Sequence, residues 1–435
     1  MAELRAELTA LPPGAPVRLG KKTSNLFRPR AAVDQRLDVS AFSGVLSVED
    51  GYAEVLGMTT YEDLVDATLP TGQMPLVVPQ LKTITLGGAV TGLGIESSSF
   101  RNGTPHESVV EMDVLTGDGR VVTCSRTEHP DLFHGFPNSY GTLGYALRLR
   151  IELEPTRPFV HLEHVRCGST AEAAGVMRAH CERRTADFVD GTWFSPDEVY
   201  VTLGRWADSA PLVSDYTDAV YYRSVQSRHE DWLTVRDYLW RWDTDWFWCS
   251  RAFGVQHPAV RRWVPKRYLR SDTYWKLVAF EQRHRWKARW DRRRGLPDRE
   301  DVIQDVEVPV DRLVEFMDVF ALEVPIEPVW FCPLKQRSAE DVWELYRLDP
   351  GVLYVNVGFW SSVALDPGED PTTHNRLVED LVDRLGGRKS LYSTAYYDRE
   401  RFWELYNGPA YEVLKKTYDA DGRLLDLYEK TVLKK

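Results

Sequence analysis

Residues 81–103, LKTITLGGAVTGLGIESSSFRNG, decide how the rest of the chain is read. Five glycines (Gly87, Gly88, Gly92, Gly94 and Gly103) and five hydroxyl side chains after Ile84 give a backbone that can approach a ligand closely and offer N–H groups to it. That is a way to hold a diphosphate. The Gly-x-Gly-x-x-Gly fingerprint of a nucleotide-binding strand-turn-helix is absent, because Gly92-x-Gly94 runs into Ile95-Glu96-Ser97 instead of opening a helix.

Working outward, residues 1–155 alternate β-rich runs with one short amphipathic helix in YAEVLGMTTYEDLVDATLP, and VLTGDGRVV (residues 114–122) reads as a hairpin about a Gly-Asp-Gly turn. Beyond Arg157 the texture changes. Helical stretches such as TAEAAGVMRAHCERR alternate with strand-like VYVTLGRW and VLYVNVGFW, and tryptophans cluster in DYLWRWDTDWFW. An α+β fold class follows.

Three segments carry a resemblance: TITLGGAVTGLGIESSS, VLTGDGRVV and DLFHGFPNSYGTLGYALRLRIEL (residues 131–153). Together they resemble the FAD domain of the vanillyl-alcohol-oxidase (PCMH-type) flavoproteins. Within that superfamily FVDGTWFSPDE, VIQDVEVPV, PVWFCPL and LYSTAYYDRERFW are similar, in the same order, to segments of the sterol delta-24 reductase (diminuto/seladin) branch, which includes actinobacterial methylene-fatty-acyl reductase-like proteins. The resemblance implies a two-subdomain FAD-binding domain over 1–155, an α+β cap over 156–385 that carries the substrate, and a C-terminal segment over 386–435 returning to the flavin. One scaffold serves several chemistries, so fold and substrate are separate questions.

The same resemblance assigns cofactor positions. RLGKKTSNLFRPR occupies the place of a first phosphate loop, which points to Lys22, Thr23, Ser24 and Asn25. The second loop contributes Thr85, Gly87, Gly88, Gly92, Gly94, Ile95, Glu96, Ser97, Ser98 and Gly103, with His106, Gly141, Gly144 and Arg399 nearby and Lys335 as a second cation for the flavin edge. No histidine stands where many relatives attach the flavin, so the FAD is expected to be non-covalent, with NADPH as reductant. The expected proton donors are Tyr396, Tyr397, Asp305 and Glu96.

Composition bounds the function. The 435 residues are 43% apolar and 27% charged, with a mean hydropathy of -0.38, which suits a cytoplasmic protein with sizeable cores. No 18-residue apolar run and no basic-then-apolar leader is visible, so neither a membrane span nor a signal peptide is expected. Cys124, Cys167, Cys181, Cys249 and Cys332 form no C-x-x-C pair, which argues for reduced thiols and no metal. The net charge is -11, yet residues 251–300 hold 15 Lys or Arg against 5 Asp or Glu, interleaved with Trp263, Trp275, Trp286 and Trp290. Such a strip suits transient contact with an anionic membrane surface through Arg261, Arg262, Lys266 and Arg267, or else a solvated face; no nucleic-acid fold accompanies it.

The expected function is reduction by NADPH, through FAD, of an isolated carbon–carbon double bond in a lipid. The methylene branch of a fatty acyl chain stands ahead of a sterol side chain, and a lipid methyltransferase is an expected partner. An isolated alkene needs a proton as well as a hydride, and aromatic faces stabilise the resulting positive charge by roughly 0.5–2 kcal/mol each. The alternatives are an FAD-dependent alcohol or sugar oxidase or dehydrogenase, and a flavin-carrying lipid-binding partner of a methyltransferase.

Overall fold

A computed structural model describes residues 2–12, 17–20, 35–284, 289 and 293–434. The strand Gly144–Pro155 organises the first half. Its residues alternate, with Leu147, Leu149 and Ile151 buried and Arg148 and Arg150 turned outward, as a half-buried antiparallel strand requires. Around it the sheet runs Val45–Glu49, Tyr52–Leu56, Gly144–Pro155, Val109–Thr116, Val121–Ser125, all antiparallel, with Gln73–Pro75 added at its far end. On the outer face Arg148 bridges Asp113 (2.7 Å), Glu111 (2.6 Å) and Glu54 (3.2 Å) across three strands. The hairpin turn lies at the Gly-Asp-Gly site, where Gly119 adopts φ +84°. A two-stranded parallel pair joins Arg18–Leu19 to Arg36–Leu37.

The cap is built on an eight-stranded antiparallel sheet in the order Glu230–Thr234, Phe159–Cys167, Glu198–Ala207, Phe188–Ser195, Val329–Leu334, Tyr354–Ala364, Arg299–Pro309, Arg388–Lys389. Helices Thr170–Arg183, Leu313–Glu323 and Thr373–Arg384 cover one face with an aliphatic core. Rings cover the other: Trp242, Phe247, Trp248, Trp330 and Trp360 pack with centroid separations of 4.4–6.4 Å. These rings belong to the same buried cluster as Val55, Leu149 and Phe133, so one core runs through the junction of the two halves. The first sheet ends at Pro155 and the cap sheet begins at Phe159, while Arg388–Lys389 carries the cap sheet past the expected end at 385.

The final helices, Arg399–Leu405, Gly408–Tyr418 and Leu427–Thr431, return to the first domain. Lys415 Nζ donates to Thr142 O (2.8 Å), Lys430 Nζ to Tyr140 O (2.6 Å), and Tyr418 Oη to Asp131 (2.9 Å). All five cysteines are free thiols. Among the described residues no helix is long and apolar enough to cross a membrane, and no group of three potential ligands could hold a metal.

Candidate cofactor and active site

A cavity of about 450 Å³ lies between the domains. Its first wall comes from the FAD side: Gly20, Ser40, Met58, Thr60, Thr83 and Thr85. The second comes from the cap: Trp246, Ser271, Asp272, Trp275 and Lys276. Trp246 and Phe247 have φ of +45° and +59°, which is costly for bulky side chains and persists only where the surroundings impose it. Here the turn Asp243–Asp245 is closed by Trp246 N to Asp243 O (3.0 Å) and Phe247 N to Trp242 O (2.8 Å). Behind the wall sits Asp243, 1% exposed, accepting from Ser271 Oγ (2.6 Å) and from Lys82 N (3.0 Å). Burial raises its carboxyl above the ordinary range, opposed mainly by Lys82. Asp272 pairs with Arg270 (2.6 Å), and Arg270 with Glu62 (2.7 Å), forming a charged rim.

The glycine-rich stretch contains a helix, Leu86–Thr91, capped by Thr85, whose side chain accepts from Gly88 N. The helix precedes Gly92 rather than following it. Gly87 serves packing: its N–H donates to Gly57 O (2.8 Å), and a Cβ there would lie 2.7 Å from that oxygen. A Cβ on Gly94 would meet Pro79 and Pro105 at 2.9 Å each, and one on Gly92 would lie 3.0 Å from Gly88 O and 3.4 Å from the Tyr140 ring. Gly103, φ +70°, leaves room for the Glu107 carboxylate, which caps Thr104 N (2.9 Å), so its role is structural. Ser97 Oγ bonds Glu96 (2.6 Å) and Tyr238 Oη (2.7 Å), and Ser98 Oγ donates to Leu76 O (2.9 Å). The N–H groups of Gly94, Ile95, Ser97 and Ser98 take no partner among the described residues.

Across from Gly92 lies the loop 138–141. Asn138 and Tyr140 adopt φ of +60° and +52°, beside Gly141 at +75°. Tyr140 N donates to Thr91 O (2.7 Å), joining the loop to the glycine stretch, and Tyr140 Oη accepts from Leu391 N (3.0 Å). Both amide atoms of Asn138 and the Ser139 hydroxyl are buried without a partner. Each such group costs about 1–3 kcal/mol unless something bonds it. Strained backbone, orphaned polar atoms and unpartnered N–H groups together fit a polar dinucleotide. Asn138, Ser139 and Tyr140 escape sequence reasoning, which stops at Gly141; an Asn followed by a hydroxyl residue and an aromatic just before a glycine was the available signal. Gly144 serves strand packing, with a Cβ position 2.5 Å from Leu115 O.

The remaining expected positions fall elsewhere. Lys22, Thr23, Ser24 and Asn25 lie outside the described residues. His106 is buried edge-on against Trp343 (4.5 Å) with Thr104 at 3.0 Å, and burial holds it neutral, near a pKa of about 3; it is a core residue. Glu96 bonds the fully buried Arg241 (2.8 Å), which also holds Asp190 (2.8 Å), tying the glycine stretch to the cap. Its second oxygen is unpartnered. Asp305 faces Gly358 across the cap sheet, accepts from Asn356 (3.2 Å), and is pushed up to about 7 by burial. Its neighbours are a pocketed acid set: Glu307, raised to about 8 beside Tyr346, and Glu379, raised to about 7 with Lys389 at 3.4 Å. Tyr396 packs on the outside of the cap with Arg376 at 5.9 Å, and burial raises it to about 12. Tyr397 packs with Tyr406, its hydroxyl unpartnered. Arg399 is exposed, 5.5 Å from the Tyr428 ring, and Lys335 N donates to Ser99 O (3.3 Å). None of Glu96, Asp305, Tyr396, Tyr397 and Arg399 lines the cavity; Ser271, which sequence reasoning misses, does, and Asp243 stands behind it.

Residues 14–125 match the FAD binding domain family. Among curated proteins the chain is similar to the Delta(24)-sterol reductase of Rattus norvegicus, 27% identical over 384 residues covering 81% of this chain and 69% of that protein. It is also similar to the Delta(24)-sterol reductase of Arabidopsis thaliana, 24% identical over 438 residues, 91% of this chain and 76% of that one. A shorter likeness, 39% over 129 residues, joins it to cytokinin dehydrogenase 6 of Oryza sativa subsp. japonica, 30% of this chain and 24% of that protein. The chain thus carries an FAD binding domain, and its similarity to the sterol reductases extends through the cap.

Proposed function

We propose that this protein is an FAD-dependent oxidoreductase that uses NADPH to reduce an isolated carbon–carbon double bond in a lipid, a methylene-branched fatty acyl chain ahead of a sterol side chain. The observation that carries the reading is the likeness to Delta(24)-sterol reductases over 81% of the chain, cap included, together with a cavity at the junction of cap and FAD domain. The N–H groups of Gly94, Ile95, Ser97 and Ser98, without a partner among the described residues, and the orphaned Asn138 and Ser139 side chains are the groups that would hold FAD. The chemistry FAD supplies when bound is hydride transfer.

The protein's own task is to supply a proton and shelter positive charge. Ser271 Oγ, at the cavity wall, donates to Asp243, whose carboxyl is raised by burial; when Asp243 takes up a proton it would donate back to Ser271 Oγ, and the serine would pass its own proton to the alkene, leaving Asp243 ionised until it is reprotonated. Trp246 and Trp275 offer the aromatic faces beside which a tertiary cation is stabilised by roughly 0.5–2 kcal/mol each. Transient contact with a membrane surface would deliver the lipid, with a lipid methyltransferase as the supplier of methylene-branched chains.

The test is an anaerobic titration of the FAD-loaded protein. Flavin absorbance that bleaches with NADPH, and returns when a methylene-branched phospholipid is added, is expected. Flavin that stays oxidised with NADPH, and bleaches instead with an alcohol, overturns the reductase in favour of an oxidase.

A further inference from the structure

A second cavity, of about 600 Å³, opens in the cap and is lined by Arg223, Arg228, Arg261 and Arg262 with Asp218 and Gln256. None of its residues belongs to the FAD binding domain or lines the first cavity. Four guanidinium groups in one concavity repel unless each is balanced, and the pairing divides them. Arg261 is buried and spent: it grips Asp245 through both terminal nitrogens (2.8 and 3.0 Å) and donates to Tyr216 O and Thr217 O. Arg228 pairs with Asp231 (3.2 Å), and Asp218 is taken by Lys266 (3.1 Å). Arg223 and Arg262 have no carboxylate partner among the described residues.

Arg223 is nonetheless held in place. Its Nε donates to Tyr222 Oη (3.2 Å), which donates to Gln256 Oε1 (2.8 Å); Gln256 Nε2 donates to Ser250 Oγ (2.8 Å), and Ser250 Oγ to Asp245 (2.6 Å), the carboxylate that grips Arg261. A buried hydrogen-bond chain therefore fixes the guanidinium by its inner nitrogen and leaves the two terminal nitrogens unpaired. Arg262 stands 5.4 Å from the ring of Trp263.

We propose that this cavity is a phosphate-binding site, with Arg223 and Arg262 taking the phosphate oxygens. A planar guanidinium matches two phosphate oxygens at once, and preorganisation by the Tyr222–Gln256–Ser250 chain lowers the entropy lost on binding. The phosphate comes from a lipid headgroup or a soluble phosphate ester. Val260 and Trp263, 44% and 77% exposed, bracket Arg261 and Arg262 in sequence and favour a headgroup at a membrane surface. The site is independent of the flavin chemistry.

The full chain is titrated with glycerol 3-phosphate by calorimetry and co-sedimented with phosphatidylglycerol–phosphatidylcholine vesicles, using pure phosphatidylcholine as control. Arg223→Gln and Arg262→Gln are each expected to weaken binding about ten-fold, whereas Arg267→Gln, an exposed charge outside the cavity, is expected to change it less than half as much in free energy, with all three melting like the parent. Loss confined to vesicles assigns the phosphate to a lipid; loss of glycerol 3-phosphate binding assigns it to a soluble ester. Absence of binding to both probes, or equal effects of Arg223→Gln and Arg267→Gln, overturns the site.

Discussion

The two walls of the central cavity are made of different material. The FAD-side wall presents small and hydroxyl residues, Gly20, Ser40, Ser43, Thr60, Thr83 and Thr85, and the fold behind it is set by main-chain contact: a short capped helix, glycines against neighbouring backbone, and a strained loop at 138–141. The cap wall is side chain, with a tryptophan on a left-handed turn, a serine backed by a buried aspartate, and Asp272 and Lys276 at the edge. Backbone geometry is suited to holding a ligand whose shape does not vary; ionisable side chains with neighbours chosen one by one are suited to moving protons. The division predicts that damage on the first side appears as lost folding or lost cofactor, and on the second as lost chemistry with cofactor retained.

The largest expected effect comes from Gly57. A Cβ there would lie 1.9 Å from Ala146 O, a strand carbonyl unable to retreat, and Gly57 O is also the acceptor for Gly87 N. Gly57→Ala should cost more than about 4 kcal/mol and leave little folded protein at 37 °C; a thermal melt like that of the parent would remove the claim that this wall is set by backbone contact. Asp243→Asn tests the other side. It should leave bleaching by NADPH intact and slow reoxidation by the lipid roughly 10²–10⁴-fold in single-turnover kinetics. Equal slowing of both half-reactions would show Asp243 to be a structural residue.

Asn138→Gly sharpens the same boundary from the cofactor side. Glycine accepts φ +60° without strain and deletes the two orphaned amide atoms, so without cofactor the variant should melt no lower than the parent. FAD binding should weaken by about 1–3 kcal/mol, read by fluorescence on dilution. Unchanged FAD affinity would detach the 138–141 loop from the cofactor.

Much of this architecture is legible in the residues themselves. Alternation in YALRLRIEL marks the central strand, Gly119 marks the hairpin turn, and the density of glycine in 81–103 marks a close approach. What the glycines approach is not legible. Gly87 meets Gly57, thirty positions earlier, and Gly103 meets the carboxylate of Glu107, so two positions that read as ligand contacts are spent on the protein itself. The cap wall is hidden for a related reason: Asp243 and Ser271 are 28 residues apart in sequence and meet beside the strained turn at Trp246. Tyr396 illustrates the converse. Its segment does return toward the first domain, but its backbone N–H is held by Glu379 (3.0 and 3.1 Å) and Arg376 covers its ring, which turns it to the outside of the cap. The basic strip divides in the same way. Of the four cations expected to meet a membrane, Arg261 is buried against Asp245 and Lys266, though exposed, is paired with Asp215 and Asp218, leaving Arg262 and Arg267 exposed without a carboxylate partner among the described residues.

The smallest expected effect separates the walls by pH. Asp305, in the cap sheet behind its tryptophan layer, is half-buried and titrates near 7 because burial disfavours its charge, with Asn356, Tyr392 and Lys389 opposing. The unfolded chain titrates it at about 3.9. A folded-state pKa above the unfolded value means that the native state binds the proton more tightly. The associated stability is full below pH 4 and disappears as pH rises through 7. Asp305→Asn keeps an oxygen for Asn356 while removing the ionisation, so the variant should lose less stability than the parent between pH 5 and pH 8, by about 1–2 kcal/mol after allowance for solvent access. Urea melts at the two pH values measure this. Parallel losses would place the pH response in other groups, with Glu307 and Glu379, raised to about 8 and about 7, the next to replace. FAD affinity should follow neither variant nor pH in this range, because the groups that would hold it are neutral backbone and amide atoms.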